Sequence, residues 1–215
     1  MRLLIMGAPG AGKGTQAALI KDEYNIAHIS TGDMFRAAIK NQTPTGIEAK
    51  GYIDKGQLVP DSTTIKLVRE RLLQEDCKNG FLLDGFPRNT SQAIALDEML
   101  KEVGIKLDAV INVDVDDSFL IERITGRRTC LACGASYHVT AKKPLKEGVC
   151  DVCGADLVQR KDDCEETIKS RLEVYHNQTA PVLEYFGKQG IVKSVSGIGN
   201  IEEIFANIQK VLGEC

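Results

Sequence analysis

The stretch "GAPGAGKGT", Gly7 to Thr15, decides how the rest of the chain is read. Its first seven residues match Gly-x-x-x-x-Gly-Lys. The apolar run "RLLIM" precedes it, and "GKGTQAALIKDEYN" follows with Ala17, Leu19, Ile20 and Tyr24 at helical spacing. Strand, glycine loop and helix are the setting in which this spacing binds phosphate. Glycines let successive backbone N–H groups turn inward, the helix N-terminus adds partial positive charge, and the lysine reaches the outer phosphates. The candidate phosphate ligands are therefore Gly10, Ala11, Gly12, Lys13, Gly14 and Thr15. One position departs from the common form: Gly14 follows Lys13, and the hydroxyl comes one residue later, at Thr15.

Outward from this loop, strand and helix patterns alternate. "GFLLDGFP", "DAVINVDV" and "GIVKSVSG" read as strands, and "STTIKLVRERLLQED", "SQAIALDEMLKEVG", "DSFLIERITGRR" and "NIEEIFANIQKVLGE" as helices. "AHISTGDMFRAAIKN" offers Ser30 and Thr31 as caps of a short helix. "QTPTGIEAKGYIDKGQLVP", broken by three glycines and two prolines, reads as short helical pieces in a mobile excursion. "EETIKSRLEVYHNQTAPVLEYFGK" reads as one long helix with a kink or break at Pro181. The alternation predicts an α/β fold with a parallel sheet covered on both faces.

Bulk properties narrow the class. The 215 residues suit one α/β domain with small inserts, and the 43% apolar and 27% charged fractions are those of a globular chain. No apolar run approaches the roughly 20 residues that span a bilayer. "MRLLIMGAPG" faintly mimics a secretory signal, but its apolar run is short and flows into a glycine loop, so a cytoplasmic location is expected. A net charge of −3 argues against bulk nucleic-acid binding.

Of seven cysteines, four form "CLACG" (Cys130, Cys133) and "CDVCG" (Cys150, Cys153). Two CxxC pairs suit a closed tetrahedral zinc site, one ion per chain, which would stabilise and not catalyse. Iron or a disulfide pair are the alternatives. From Gly126 to Asp163 there are seven Lys/Arg and five Asp/Glu; four thiolates and a zinc ion bring the segment close to neutral, a poor match for nucleic acid. Cys77, Cys164 and Cys215 are expected to be plain thiols, His28 and His176 packed or surface residues, and His138 a residue of this segment outside the metal set. Asp84, ending "FLLD" beside the loop, is a candidate for Mg²⁺ through water or, alternatively, a turn cap; Asp33 is a weaker candidate. Arg123 and Arg127, four apart on the expected helix, would share a face.

In order and separation, "GAPGAGKGT", "STGDMFR", "FLLDGFPRN", "GRR" and "QRKDD" resemble the adenylate kinase family. GKGT, with its hydroxyl at the second place after lysine, is that family's form of the loop. The resemblance implies a P-loop three-layer α/β/α core (1–29, 60–125 and 164–215) with an AMP-binding insert (30–59) and a zinc-binding lid (126–163). It implies reversible transfer from MgATP to AMP giving two ADP, by a cytoplasmic monomer with no nucleic-acid or membrane partner. It places the AMP phosphate on Arg36 and Arg88, ATP phosphates on Arg123 and Arg127, and Arg160 and Arg171 across the transferring group, with Lys13 and Asp84 also in the catalytic set. AMP would further meet Thr31, Gln57, Leu58, Val59, Gly85, Phe86, Pro87 and Gln92, and ATP would meet Ser136, Tyr137 and Gly199, with an aromatic ring near the adenine. Arg128 is left as a surface charge. A UMP/CMP kinase and a zinc-ribbon binding protein with a regulatory P-loop are the competing readings.

Overall fold

The structure is a computed structural model and describes residues 1–213; Cys215 lies outside the described residues. Five parallel strands form the central sheet: β1 (Arg2–Met6), β2 (Ala27–Ser30), β3 (Phe81–Asp84), β4 (Ala109–Asp114) and β8 (Val192–Ser196), in the order β2-β3-β1-β4-β8. Strand alternation divides the core into two layers. Leu3 and Ile5 of β1 face one apolar cluster with Leu82 and Ile111, while Leu4 and Met6 face another with Phe81, Leu83 and Val110. All of these side chains are buried, so the central strands are apolar on both faces, as a helix-covered parallel sheet requires.

The helices α1 (Lys13–Tyr24), α5 (Thr90–Glu102), α6 (Asp117–Thr125) and α9 (Ile201–Gly213) connect or follow the strands. α1 begins at Gly12, whose φ of 95° is a left-handed conformation that suits glycine. β2 departs from expectation, because "AHIS" is too short to display a strand pattern and its pairing with β3 is long-range.

The excursion holds two ten-residue helices, α2 (Thr31–Lys40) and α3 (Pro44–Ile53), before α4 (Asp61–Leu72). It has its own small core of Phe35, Ala49 and Val59. α2 and α3 approach closely at Gly46, where a Cβ would press on the backbone of Ala38 and Ile39. The cysteine segment forms a separate antiparallel sheet, β6 (Ser136–His138), β5 (Arg127–Cys130) and β7 (Leu157–Val158), in the order β6-β5-β7. Its two roots are tied together: Gln159 Nε2 donates to Thr125 O at 3.2 Å, and Arg160 Nε to Thr129 Oγ1 at 3.0 Å.

The long helix expected around Pro181 is three pieces: α7 (Glu165–Val174), a π-helical segment (Tyr175–Thr179) and α8 (Ala180–Gly187). Pro181 neither donates an N–H nor tolerates a carbonyl close to its ring. The chain answers with a wider turn just before it rather than a break. Among the described residues, no helix is long and apolar enough to cross a membrane.

Two glycines of α3 separate packing from propensity. Gly46→Ala overpacks the contact between α2 and α3 and should cost about 1–3 kcal/mol, lowering Tm by several degrees in calorimetry. Gly51→Ala meets no neighbour within 4 Å and should be neutral or gain up to about 1 kcal/mol from better helix propensity. Equal effects of the two would contradict the close approach at Gly46.

Candidate functional site

β1 delivers the glycine loop to the carboxyl edge of the sheet, and α1 starts directly from it. The N–H groups of its first turn and the axial peptide dipoles therefore point at the mouth of the loop. Lys13 folds back across it: its Nζ donates to Gly7 O at 2.7 Å and Ala8 O at 2.9 Å. Burial, partly offset by Asp84, pushes the lysine down to about 8. β3 runs beside β1 in register, Ile5 opposite Asp84, which sets the Asp84 carboxylate next to the loop. Burial alone would raise that carboxyl, but the His28 imidazole at 3.5 Å and the charge of Lys13 hold it below the ordinary carboxylate range. His28 is therefore not merely packed or superficial; β2 aims it at Asp84, and missing β2 hid this.

The turn after β3 is tightly cross-braced. The Thr31 hydroxyl donates to Gly85 O at 2.8 Å, Arg88 Nε to the same carbonyl at 2.8 Å, and Arg88 N–H to Gln92 Oε1 at 2.8 Å. Gln92 Nε2 also donates to Asp61 Oδ1 at 2.7 Å, so both ends of that amide already have internal partners. Thr31, Arg36, Gln57, Leu58, Val59, Gly85, Arg88, Gln92 and Arg171 line a small recess. Phe86 does not line it; its ring is 2% exposed and belongs to the core, so only its backbone faces the turn.

The recess adjoins a cleft of about 710 Å³, within the size range of nucleotide and cofactor sites. The cleft is lined by the glycine loop, Asp84, Pro87, Arg123, Arg127, Ser136, Tyr137, Arg160 and Gly199. Arg36, Arg88 and Arg171 reach it as well, so cations from five separate elements and the connecting loops converge on one space. Burial first, then neighbouring guanidiniums, pushes Arg88 down to about 10 and Arg160 to about 9. Guanidinium stays charged at neutral pH, so these shifts express a demand for negative charge.

Carboxylates meet part of that demand. Asp163, fully buried, accepts from Arg127 Nε at 2.9 Å, from Arg127 Nη2 and from Arg171 Nη1 at 3.2 Å. Asp162 pairs with Arg171 at 2.9 Å, and Asp33 with Arg36 at 2.5 Å. "QRKDD" carried this signal, acids two and three places after Arg160, yet spacing alone could not show which arginines they meet. No sequence signal marks Gln16, in the first turn of α1, either. It donates to Ile201 O at 3.0 Å and braces the loop around Gly199.

One sequence expectation, that Arg123 and Arg127 share a helix face, fails. α6 ends at Thr125 with Gly126 as its cap, and Arg127 opens β5 opposite His138, so Arg123 and Arg127 share no helix face. Arg123 instead donates to Gly197 O at 2.9 Å, on the far wall. The Tyr137 ring is turned into the small core with Cys130 and Cys150, its hydroxyl 3.6 Å from Cys150 Sγ and accepting Asp151 N–H at 2.9 Å. Only its backbone is left for a ligand, because a segment this small needs every apolar ring inside.

The Sγ atoms of Cys130, Cys133, Cys150 and Cys153 all lie within 4.8 Å of one another, and none is in a disulfide. Pairs at 3.4 and 3.5 Å bracket, with the longer separations, the roughly 3.8 Å edge of a tetrahedron with 2.3 Å metal–sulfur bonds. The four could hold one metal ion. His138 stands outside the set, its Nδ1 accepting the N–H groups of Thr140 and Ala141. Cys77 is buried against Arg71, Cys164 is exposed beside Thr167, and His176 pairs with Asp117 at 2.8 Å.

Comparison with known proteins gives a consistent answer. A family model described as adenylate kinase matches residues 5–191. The chain is 59% identical over 212 residues to an adenylate kinase of Carboxydothermus hydrogenoformans and 56% identical over 213 residues to one of Clostridium botulinum, covering 99% of each chain in both cases. An adenylate kinase of Bacillus cytotoxicus is 55% identical over 213 residues, again with 99% coverage of both.

The lysine permits a pH test. Its folded value, about 8, lies below that of the unfolded chain. Between that value and the ordinary lysine range the unfolded chain holds more protons here, so the side chain disfavours folding below about pH 8 and the penalty fades as pH rises. A bound triphosphate reverses the effect by favouring the ammonium. ATP binding should therefore take up a growing fraction of a proton between pH 7.5 and 9, seen as buffer-dependent heats in titration calorimetry. Lys13→Met should abolish that component; uptake unchanged by pH would contradict the assignment.

Proposed function

The chain belongs to the adenylate kinase family, and from that premise we propose how its own residues carry the reaction. It is a nucleoside-monophosphate kinase that transfers a phosphoryl group from ATP to AMP and back, with two ADP as the other side of the equilibrium. The observation that carries the residue assignment is the cluster of buried arginines around the P-loop, short of negative charge and open to one cleft. Two polyphosphates supply that charge.

The N–H groups from Gly10 to Thr15 and the Lys13 ammonium hold the outer phosphates of ATP, with Arg123, Arg127, the Ser136–Tyr137 backbone and Gly199 along its remaining length. Arg36 and Arg88 hold the AMP phosphate, and Thr31, the backbone of Gln57 to Val59, the Gly85–Arg88 turn and Gln92 surround the nucleoside. Arg160 and Arg171 lie across the transferring group. Their planar forks grip phosphate oxygens in pairs, and the charge they offer grows in value as the transition state spreads its charge over those oxygens. No covalent nucleophile is needed. Positioning in line, charge stabilisation and exclusion of water suffice.

Asp84 and the Thr15 hydroxyl offer oxygen donors suited to Mg²⁺, which, when bound with ATP, neutralises phosphate charge. The four cysteines suit zinc in a closed site, a structural role that leaves no coordination position for substrate. We divide the chain into a core (1–29, 60–125 and 164–215), an AMP-binding insert (30–59) and a lid (126–163) whose closure completes the site. We assign a monomer acting in the cytoplasm without nucleic-acid or membrane partners. The near-neutral metal-loaded lid and the net charge of −3 support that reading.

Three measurements test the proposal. ADP formation should require ATP, AMP and Mg²⁺, and Arg88→Lys or Lys13→Met should lower kcat/KM by about 10²–10³ with the fold intact. Among acceptors, AMP should exceed UMP, CMP and GMP by more than tenfold; a CMP or UMP preference would overturn the assignment of Thr31 and Gln92. The protein should carry one zinc per chain, and Cys130→Ser should lower Tm while much turnover survives at low temperature. Loss of turnover in demonstrably folded Cys130→Ser protein would contradict a structural metal.

A further inference from the structure

From Glu165 to Gly187 the chain is one helical rod with a defect. The Ala180 N–H reaches back five residues to Tyr175 O, closing the π turn between α7 and α8. A π turn of this kind acts as one residue inserted into an α-helix. Its effect on facing is large. In an unbroken α-helix Arg171 and Thr179, eight residues apart, would lie about 80° apart around the axis. Taking out one residue's rotation brings them to within about 20°. Both side chains line the same cleft.

Thr179 uses this position. Helical threonines usually return their hydroxyl to a carbonyl three or four residues back. The Thr179 hydroxyl, 9% exposed at the residue level, donates instead to Arg88 O at 2.8 Å. The other bonds bracing Arg88 come from its own neighbourhood, Gly85 and Gln92. Thr179 is a tether from the opposite half of the chain. There is a reason for one. The Arg88 and Arg171 guanidiniums repel each other until a phosphate lies between them, and Arg88 is the end of the pair carried on a turn rather than a helix.

We infer that Thr179 is a positioning residue for the acceptor phosphate: the π turn delivers its hydroxyl to the Arg88 carbonyl and fixes that arginine relative to the helix bearing Arg171. The inference rests on the reading that Arg88 holds the AMP phosphate, so Arg88→Lys is the reference variant. Steady-state kinetics with ATP and AMP varied separately, alongside Tm, decide it. Thr179→Val keeps the shape and removes the donor. It should raise KM for AMP about five- to tenfold, the loss of one hydrogen bond, and lower kcat, with KM for ATP within twofold. Thr179→Ser keeps the hydroxyl and should stay within twofold of the parent on all three. If Thr179→Val does not fold, Thr179→Ala serves for the same split. Equal rises in both KM values, no rise, or a serine variant as impaired as valine would overturn the inference. If Arg88→Lys raises KM for AMP and Thr179→Val does not, the tether alone is refuted. If Arg88→Lys leaves it unchanged, the reading of Arg88 falls and the tether with it.

Discussion

The structure is organised around a collection of positive charge that the protein alone does not neutralise. Lys13, Arg36, Arg88, Arg127, Arg160 and Arg171 face a common cleft, and burial makes the charges of Lys13, Arg88, Arg160 and Arg171 expensive. Each of these side chains is anchored by a rigid element or a braced turn, since mutual repulsion would otherwise push them apart. The parallel sheet provides one anchor by ending β1 and β3 side by side. The acids provide another: Asp163, Asp162 and Asp33 pair with Arg127, Arg171 and Arg36 and offset part of this charge. Removing such a carboxylate would expose the arginines it holds to one another, which is why a buried pair is costly to break from one side.

The cysteine segment obeys a different constraint. Its apolar interior consists of Tyr137, Leu157, two alanines and the side chains of Cys130 and Cys150, too little to fold alone. Its four thiols, all within 4.8 Å of one another, could add metal coordination to what burial supplies. The Tyr137 ring then serves the segment's interior, and the face presented to the cleft is backbone from β6 together with Arg127 and Arg160. Within the same 38 residues, the four sulfurs gather in one cluster while Arg127 and Arg160 face the cleft.

Much of this was legible in the sequence because it depends on local spacing. The glycine loop, the four cysteines and the helix–strand alternation are short-range patterns, and Arg36, Arg88, Arg127 and Arg160 sit in short motifs. What escaped depends on pairing at a distance. β2 is four residues long and exists because β3 lies beside it, so its consequence, His28 facing Asp84, was hidden with it. Asp163 has partners 36 and 8 residues away, and Thr179 one 91 residues away. The Arg123–Arg127 expectation failed for a related reason. A glycine and a change to strand pairing ended the helix two residues too soon for the i,i+4 rule to apply.

The bonds that tie the roots of the cysteine segment, from Gln159 to Thr125 and from Arg160 to Thr129, have an architectural consequence. They make entry and exit a single attachment point, so whatever is built beyond it places little mechanical demand on the sheet below. Such a segment is a graft. Its length and internal sequence are open to exchange by a protein engineer, provided that the stem still presents Arg127 and Arg160 to the cleft. The core would then accept new upper storeys without being rebuilt, and thermal tolerance could be altered in this storey while the reaction chemistry below stayed as it was.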